Sequence, residues 1–350
     1  MMTIASAASA FPKHYYSQDV LLAAFKSVWA PILENPRILD RLHTAVGVDG
    51  RHLSMPLNEY YDLASFGKAN NVWIETAKEI GEHAISCALT RAGLTTDDLG
   101  AIFFVSVTGI ASPSIDARLI NRMRLPANIR RVPIFGLGCV AGAAGISIAS
   151  DYVRAYPDKV AVLLAVELCS LTLQRHDLSI ANLISSGLFG DGACAVIVAG
   201  AERQLAGPRI VATRSMFYPD TEDVMGWDIS EKGFNIVLSP SVPDVIRENL
   251  GRDVDALLAE NGLTRKDLES WVLHTGGPKI LEATQDALSL PAGALDTSWD
   301  CLRRMGNLSS ASVLVVLEEF LMKRRPAAGT WGLLAAMGPG FCSELVLLRW

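Results

Sequence analysis

Residues 88–109, ALTRAGLTTDDLGAIFFVSVTG, return in altered form at 257–277, LLAENGLTRKDLESWVLHTGG, at an offset of 169 positions. Gly93 pairs with Gly262, Leu94 with Leu263, Thr95 with Thr264, Asp98 with Asp267 and Leu99 with Leu268. Each copy reads as a helix stopped by glycine, a second capped turn, and a buried strand with a polar or glycine tip. Self-similarity of this length decides the fold, because a duplicated unit must build a duplicated layer pattern.

The match extends beyond this stretch. CVAGAAGISIASDYV, from Cys139, corresponds to NLSSASVLVVLEEFL, from Asn307, at an offset of 168, and both are small-residue helix starts. GDGACAVIV at 190–198 and GPGFCSELV at 338–346 both read as a glycine-bounded turn feeding a buried strand. Strands and helices interleave, so the expected class is α/β, a mixed sheet covered by helices in layers. With 350 residues, half of them hydrophobic, the chain exceeds a usual single core and should form two joined units, taken as 1–205 and 206–350. Equivalent strand tips of stacked copies meet near a pseudo-two-fold axis. The tips after Phe104, before Cys139, at His274 and before Asn307 are therefore expected around one centre.

Bulk properties narrow the function. The net charge of -6 comes without a basic cluster, which leaves no footprint for nucleic acid or an anionic membrane surface. MMTIASAASAFPKHYYS lacks the pattern of a signal peptide, and no segment approaches the ~20 apolar residues of a span, so a cytoplasmic protein without membrane insertion is expected. Six cysteines occur without a C-x-x-C pair, so neither a disulfide framework nor a metal site is expected.

Three residues can carry chemistry. Cys139 joins a strand-like VPIFGLG to a helix-like AGAAGISIASDYV. A thiol at a helix N-terminus faces unsatisfied N–H groups and the positive end of the dipole, which favour thiolate. Buried free cysteine is the plainer reading of that position alone. His274 ends the apolar run WVLH before a Gly-Gly turn, where it can act as base, proton shuttle or oxyanion donor. Asn307, in MGNLSSAS, stands at the helix start equivalent to Cys139, a place where Asn also serves as N-cap. Together, a thiol, an imidazole and a carboxamide are what is needed to hold a thioester and to stabilise an enolate that attacks it. No acidic partner for a hydrolytic triad stands out.

FGLGCVAGAAG, SSGLFGDGACAVIV, WVLHTGGPKIL, GNLSSASVL and AAMGPGFCSELVLLRW, in that order and spacing, resemble the type III polyketide synthases, the chalcone synthase-like branch of the thiolase fold. The resemblance covers nearly the whole chain and implies an internally duplicated α-β-α-β-α architecture. It implies that Cys139 bears the acyl group, that His274 and Asn307 hold the thioester carbonyl, and that Phe189 is an aromatic gate between a coenzyme A tunnel and an inner cavity. No cofactor is permanently bound in this family; acyl-CoA and malonyl-CoA are the substrates. Arg41, Gly277 and Lys279 match regions that contact coenzyme A. FFVSVTGIASPSID, 103–116, matches a dimer-forming region, so a homodimer is expected.

Departures concern the product. Ile236 replaces a second gating Phe, which suggests a wider entrance, and Val107 and Cys169 replace cavity threonines while Thr172 and Ser309 keep the polar character. GWDISEKGFNIVLSPSVP and the C-terminal stretch resemble the bacterial alkylpyrone and alkylresorcinol synthases, so a fatty acyl starter and a pyrone or resorcinol product are expected. The competing expectations are a single-step ketoacyl synthase of type III, using an acyl carrier protein, and a non-catalytic acyl-binding protein of the same fold.

Overall fold

The computed structural model describes residues 1–63 and 65–350. The first half contains β1 (Thr3–Ala10), β2 (His14–Ser17), α1 (Gln18–Trp29), α2 (Arg37–Ala45), β3 (Gly50–Leu53) and α3 (Phe66–Ala92). It continues with β4 (Leu99–Val105), α4 (Ile115–Met123), β5 (Arg130–Ile134), α5 (Ala141–Ala155), β6 (Val160–Leu168), α6 (Ile180–Leu188) and β7 (Asp191–Ala199). The second half contains β8 (Arg209–Phe217), β9 (Met225–Ser230), β10 (Gly233–Leu238), α7 (Val242–Glu260) and β11 (Leu268–Leu273). After these come α8 (Pro278–Leu288), α9 (Asp296–Met305), α10 (Ser310–Met322), β12 (Trp331–Gly338) and β13 (Cys342–Arg349).

The repeat seen in the sequence is a repeat of local geometry. Gly93 and Gly262 follow the last turns of α3 and α7 with φ of 67° and 70°, the left-handed conformation that costs glycine nothing. Thr95 and Thr264 then open short turns in which Asp98 and Asp267 return a carboxylate oxygen to the threonine N–H and hydroxyl, a reciprocal cap. β4 and β11 follow.

Strand order shows the same duplication. In the first half β4 is parallel to β6, β6 antiparallel to β7, and β7 antiparallel to β1. In the second, β11 is parallel to β12, β12 antiparallel to β13, and β13 antiparallel to β8. β5 adds a further parallel strand outside β4. A contact between β1 and β8 at Thr3 and Arg209 makes the hydrogen bonding continuous, giving nine strands in the order β11-β12-β13-β8-β1-β7-β6-β4-β5.

Alternation along each strand sets the layers, because successive side chains point to opposite faces. Phe103 and Leu163 face inward onto α5 and α10, as do Leu334 and Val346 from the other half. Their neighbours Ile102 and Leu164 face outward onto α3, while Leu333 and Leu345 pack beneath α7 and α8. The order is helix, sheet, the α5–α10 pair, sheet, helix. Gly142 lets the central pair approach: a Cβ there would stand 2.2 Å from the Ser310 carbonyl oxygen. α1, α2 and α6 form a satellite cluster around Trp29, Leu39 and Leu183, and α6 packs against the β9–β10 hairpin at β10. Among the described residues no helix is long and apolar enough to cross a membrane.

Candidate active site

The central helix pair positions two of the three candidate groups. Cys139 lies in the single turn Gly138–Val140 that leads into α5, and Asn307 lies just ahead of α10. His274 follows the last residue of β11, its N–H still bonded to Ala335 O at 3.1 Å. All three line one cavity of about 480 Å³. Of the four strand tips expected at one centre, those at Cys139, His274 and Asn307 line this cavity, and the tip after Phe104 does not.

Local bonding orients the carboxamide. Asn307 Oδ1 accepts from the Ser309 N–H at 2.8 Å and from the Ser312 hydroxyl at 3.2 Å. Two donors on one side fix which end of the amide is oxygen. The amide N–H₂ makes a long bond to Gly276 O, 3.4 Å, and its other partner is the Cys139 sulfur, so it is the end free to donate. The Cys139 thiol donates to the Ser309 hydroxyl at 3.6 Å. Ser309 holds that hydroxyl from a left-handed backbone, φ 48°, a strained conformation for serine of the kind found at functional sites.

Electrostatics differ from the sequence expectation. Desolvation pushes the Cys139 thiol up to about 12, with nearby Glu167 adding to the rise and bonds from Ser309 and Asn307 opposing it. Burial outweighs the helix-start effect, and the resting group is a thiol, not a thiolate. Desolvation also lowers His274 to about 4. Its Nδ1 is buried without a partner, so at neutral pH the imidazole is uncharged and can accept a proton.

Glu167 was not singled out in the sequence, although its signal is there: it is the one charged residue of the buried strand VAVLLAVEL. It receives the Ser310 hydroxyl on one oxygen, and Val107 N–H (3.1 Å), Thr108 hydroxyl (2.9 Å) and Ser106 hydroxyl (3.3 Å) on the other. Desolvation raises it to about 7 against these bonds. The carboxyl thereby ties the tip of β4 to the start of α10.

A second, inner chamber of about 100 Å³ lies beyond Phe189, which lines both cavities. A parallel backbone bridge joins Phe189 to Asn307, so the candidate gate is registered to the carboxamide. Cys169, Thr172 and Ile236 line the inner chamber. Ile236 does not leave it open, because its cross-strand partner Trp227 and its neighbour Phe234 project into the same space. The bulk absent at 236 is supplied from across the hairpin. Val107 and Ser309 line neither cavity: Val107 is held in the wall by its bond to Glu167, and Ser309 turns toward the thiol.

At the outer cavity, Gly277 and Lys279 are lining residues. Arg41 is not. Leu42, Ala45 and Val46 of the same segment face the cavity, and helical periodicity turns Arg41 toward solvent.

The chain matches the N-terminal domain pattern of chalcone and stilbene synthases over residues 54–202 and the C-terminal domain pattern over 209–350. It is a type III polyketide synthase. It is 50% identical to 1,3,6,8-tetrahydroxynaphthalene synthase of Streptomyces peucetius subsp. caesius, across 99% of this chain and 93% of that protein. It is 31% identical to phloroglucinol synthase of Pseudomonas fluorescens, over 97% of each. The crystal structure of tetrahydroxynaphthalene synthase from Streptomyces coelicolor superposes with a TM-score of 0.94 at 33% identity, covering 99% of both chains. PKS-I of the brown alga Ectocarpus siliculosus gives 0.92 at 27% identity, covering 99% of this chain and 98% of that one. The thiolase-like fold is thus established, and the type III polyketide synthase is a decarboxylating condensing acyltransferase, not a passive acyl-binding protein.

Proposed function

We propose that this type III polyketide synthase builds a poly-β-keto chain on Cys139 from malonyl-CoA alone and closes it to a polyhydroxylated aromatic. The observation that carries the reading is the shared cavity of Cys139, His274 and Asn307, divided by Phe189 from a small inner chamber.

Loading begins when Cys139 sulfur attacks the thioester carbonyl of the incoming acyl-CoA. The thiol proton passes to the neutral His274 imidazole and then to the departing coenzyme A sulfur, as the old carbon–sulfur bond breaks and the new one forms. For extension, malonyl-CoA loses its carboxylate as carbon dioxide. The electron pair of the broken bond flows onto the thioester oxygen as an enolate, where His274 and the Asn307 amide donate hydrogen bonds. The enolate carbon attacks the Cys139 thioester, the sulfur leaves, and the chain on coenzyme A is longer by two carbons. Transfer back to Cys139 permits the next round.

The inner chamber, smaller than the outer one and crowded by Trp227 and Phe234, favours a short starter. A naphthalene skeleton, as in the name of the 50%-identical relative, divides wholly into two-carbon units and needs no fatty chain. Cys169 and Thr172 would line the space in which the chain folds. The apolar wall of Leu21, Phe25, Val28 and Trp29 supports the second reading, a fatty acyl starter with a pyrone or resorcinol product, at about 0.8 kcal/mol per buried CH₂. Lys279 at the outer cavity, with Gly277, would meet the coenzyme A phosphates.

The functional unit is a homodimer. Ile110, Phe135, Ile148 and Tyr156 are large apolar side chains left exposed in the first half, and a partner copy would cover surface of this kind. The halves divide at 205/206, between β7 and β8.

Incubation with malonyl-CoA alone, and with acyl-CoAs of increasing length, tests the function by mass spectrometry of products. An aromatic product from malonyl-CoA alone is expected. Products that form only with added acyl-CoA and retain its chain would establish the second reading, and absence of any polyketide would refute both.

A further inference from the structure

The end of α6 is the part of the site whose backbone has to be held from outside. A helix leaves its last four carbonyls without intrahelical partners, and here each can be accounted for. Ser185 O takes the N–H of Phe189 at 3.0 Å, and Leu188 O takes the N–H of Asn307 at 2.9 Å. The remaining two, Ser186 O and Gly187 O, are taken by the guanidinium of Arg51, through Nη2 and through Nη1 at 2.8 Å. Gln18 reinforces the arrangement: its Nε2 donates to Gly187 O at 3.0 Å and to His43 O at 3.2 Å, while its Oε1 accepts from Arg51 Nη1. Gly190 N–H closes the segment by donating to Asn307 O at 3.0 Å.

We propose that Arg51 is a positioning residue for condensation: by fixing the carbonyls of Ser186 and Gly187 it sets both the Phe189 partition and, through the paired backbone of 188–190 and 307, the Asn307 carboxamide. Arg51 is 1% exposed. A fully buried cation aimed at the negative end of a helix, with a planar fork matched to successive carbonyls, is a costly feature to keep for packing alone. The guanidinium is lowered to about 10 by desolvation, opposed by the nearby Asp191 carboxyl, so it stays charged at neutral pH. Lysine could serve one carbonyl but not the fork. The clamp also reaches α2, whose Leu42 and Ala45 line the outer cavity, through Gln18 on His43 O and through the His43 Nε2–Ser186 Oγ contact of 3.2 Å.

This inference rests on the polyketide synthase reading, and the experiment separates the two. Arg51→Lys, Gln18→Leu and wild type are compared for thermal unfolding, acyl loading by intact mass, and kcat and KM for malonyl-CoA. The expected Arg51→Lys protein is folded and still loads Cys139, but its kcat for condensation falls about 10- to 100-fold, the scale of a small misplacement of reacting groups, with little change in KM. Gln18→Leu, which keeps the guanidinium, shifts kcat in the same direction by less, and it carries the test should Arg51→Lys fail to fold. In a Phe189→Ala background the Arg51→Lys loss is smaller than in wild type, because the gate through which it acts is already gone. Wild-type kcat in both single variants, equal losses of loading and condensation, or full additivity with Phe189→Ala would overturn the proposal. A wild-type protein that forms no polyketide would fail the functional reading itself.

Discussion

The Cys139 thiol, raised to about 12, stands in one cavity with an imidazole lowered to about 4, so neither is charged at neutral pH. Proton transfer between them is driven by the incoming thioester carbonyl rather than by a resting ion pair. It follows that His274 contributes no inflection near its ordinary value of 6.5. Any limb of kcat/KM near pH 7 belongs instead to Glu167, raised to about 7, and should vanish in Glu167→Gln. Stability gives the same residue a sign. Between about 4.5 and 7 the unfolded carboxyl ionises while the folded one keeps its proton, so stability falls as pH rises through that window, by on the order of 3 kcal/mol in total. Glu167→Gln, whose amide can satisfy the same hydroxyls and N–H, should gain in melting temperature over wild type from pH 5 to pH 8; an unchanged difference would place no proton on Glu167. Trp227 carries a second prediction. Trp227→Ala should lengthen the accepted starter or product, whereas Ile236→Phe should change little because that space is already filled from across the hairpin. A large shift from Ile236→Phe alone would reverse the assignment. Cys139, His274 and Asn307 were legible from motif and repeat together. Glu167 was legible only as a charge in an apolar strand, and Arg51 in GRHL not at all, because a helix end and its clamp are joined by folding and not by spacing.

Among the elements, α10 explains Gly142 of CVAGAAG, while β6 explains Gly145, where a Cβ would stand 2.5 Å from Leu163 Cδ1. A Cβ on Gly142 would sit 2.2 Å from Ser310 O and 2.8 Å from Val313 Cγ1, and the first of these is backbone that cannot turn aside. Gly142→Ala should therefore separate α5 from α10 and destabilise by about 1–3 kcal/mol, the usual range for overpacking. Because Ser309, Ser310 and Asn307 belong to that junction, activity should fall by more than the loss of folded protein explains; chemical denaturation beside a turnover assay measures both. Wild-type stability would mean that the helices adjust freely. The sequence marked the starts of both helices by their shared offset, and the glycines marked close approach. It could not say that helix and helix would face each other, because that follows from the sheets folding over them. The reverse case is α2, where Arg41 looked like a ligand contact by its place in NPRILDR but lies a step around the helix from Leu42.

For the whole molecule, duplication is what makes a site of residues 139, 274 and 307. Matching caps at Thr95 and Thr264, and matching strand orders β4-β6-β7-β1 and β11-β12-β13-β8, bring equivalent tips to the seam. That much followed from a self-comparison of the chain; the continuity of the two sheets at β1 and β8 did not, since it rests on one register contact at Thr3. Phe135, Ile110, Ile148 and Tyr156 are exposed in the same half, and the proposed homodimer would cover surface there. Light scattering should give a dimer, and Phe135→Asp should shift it toward monomer while leaving the fold intact by circular dichroism; a wild-type monomer would remove that surface from the account. Delivery of an acyl group by the seam to one sulfur is read out by intact mass spectrometry after brief exposure to an acyl-CoA. Wild type should gain a single acyl group, mapped by digestion to Cys139, and Cys139→Ala should gain none. An adduct that persists in Cys139→Ala, or that maps to Cys169 in the inner chamber, would mean that Cys139 is not the acyl-bearing sulfur.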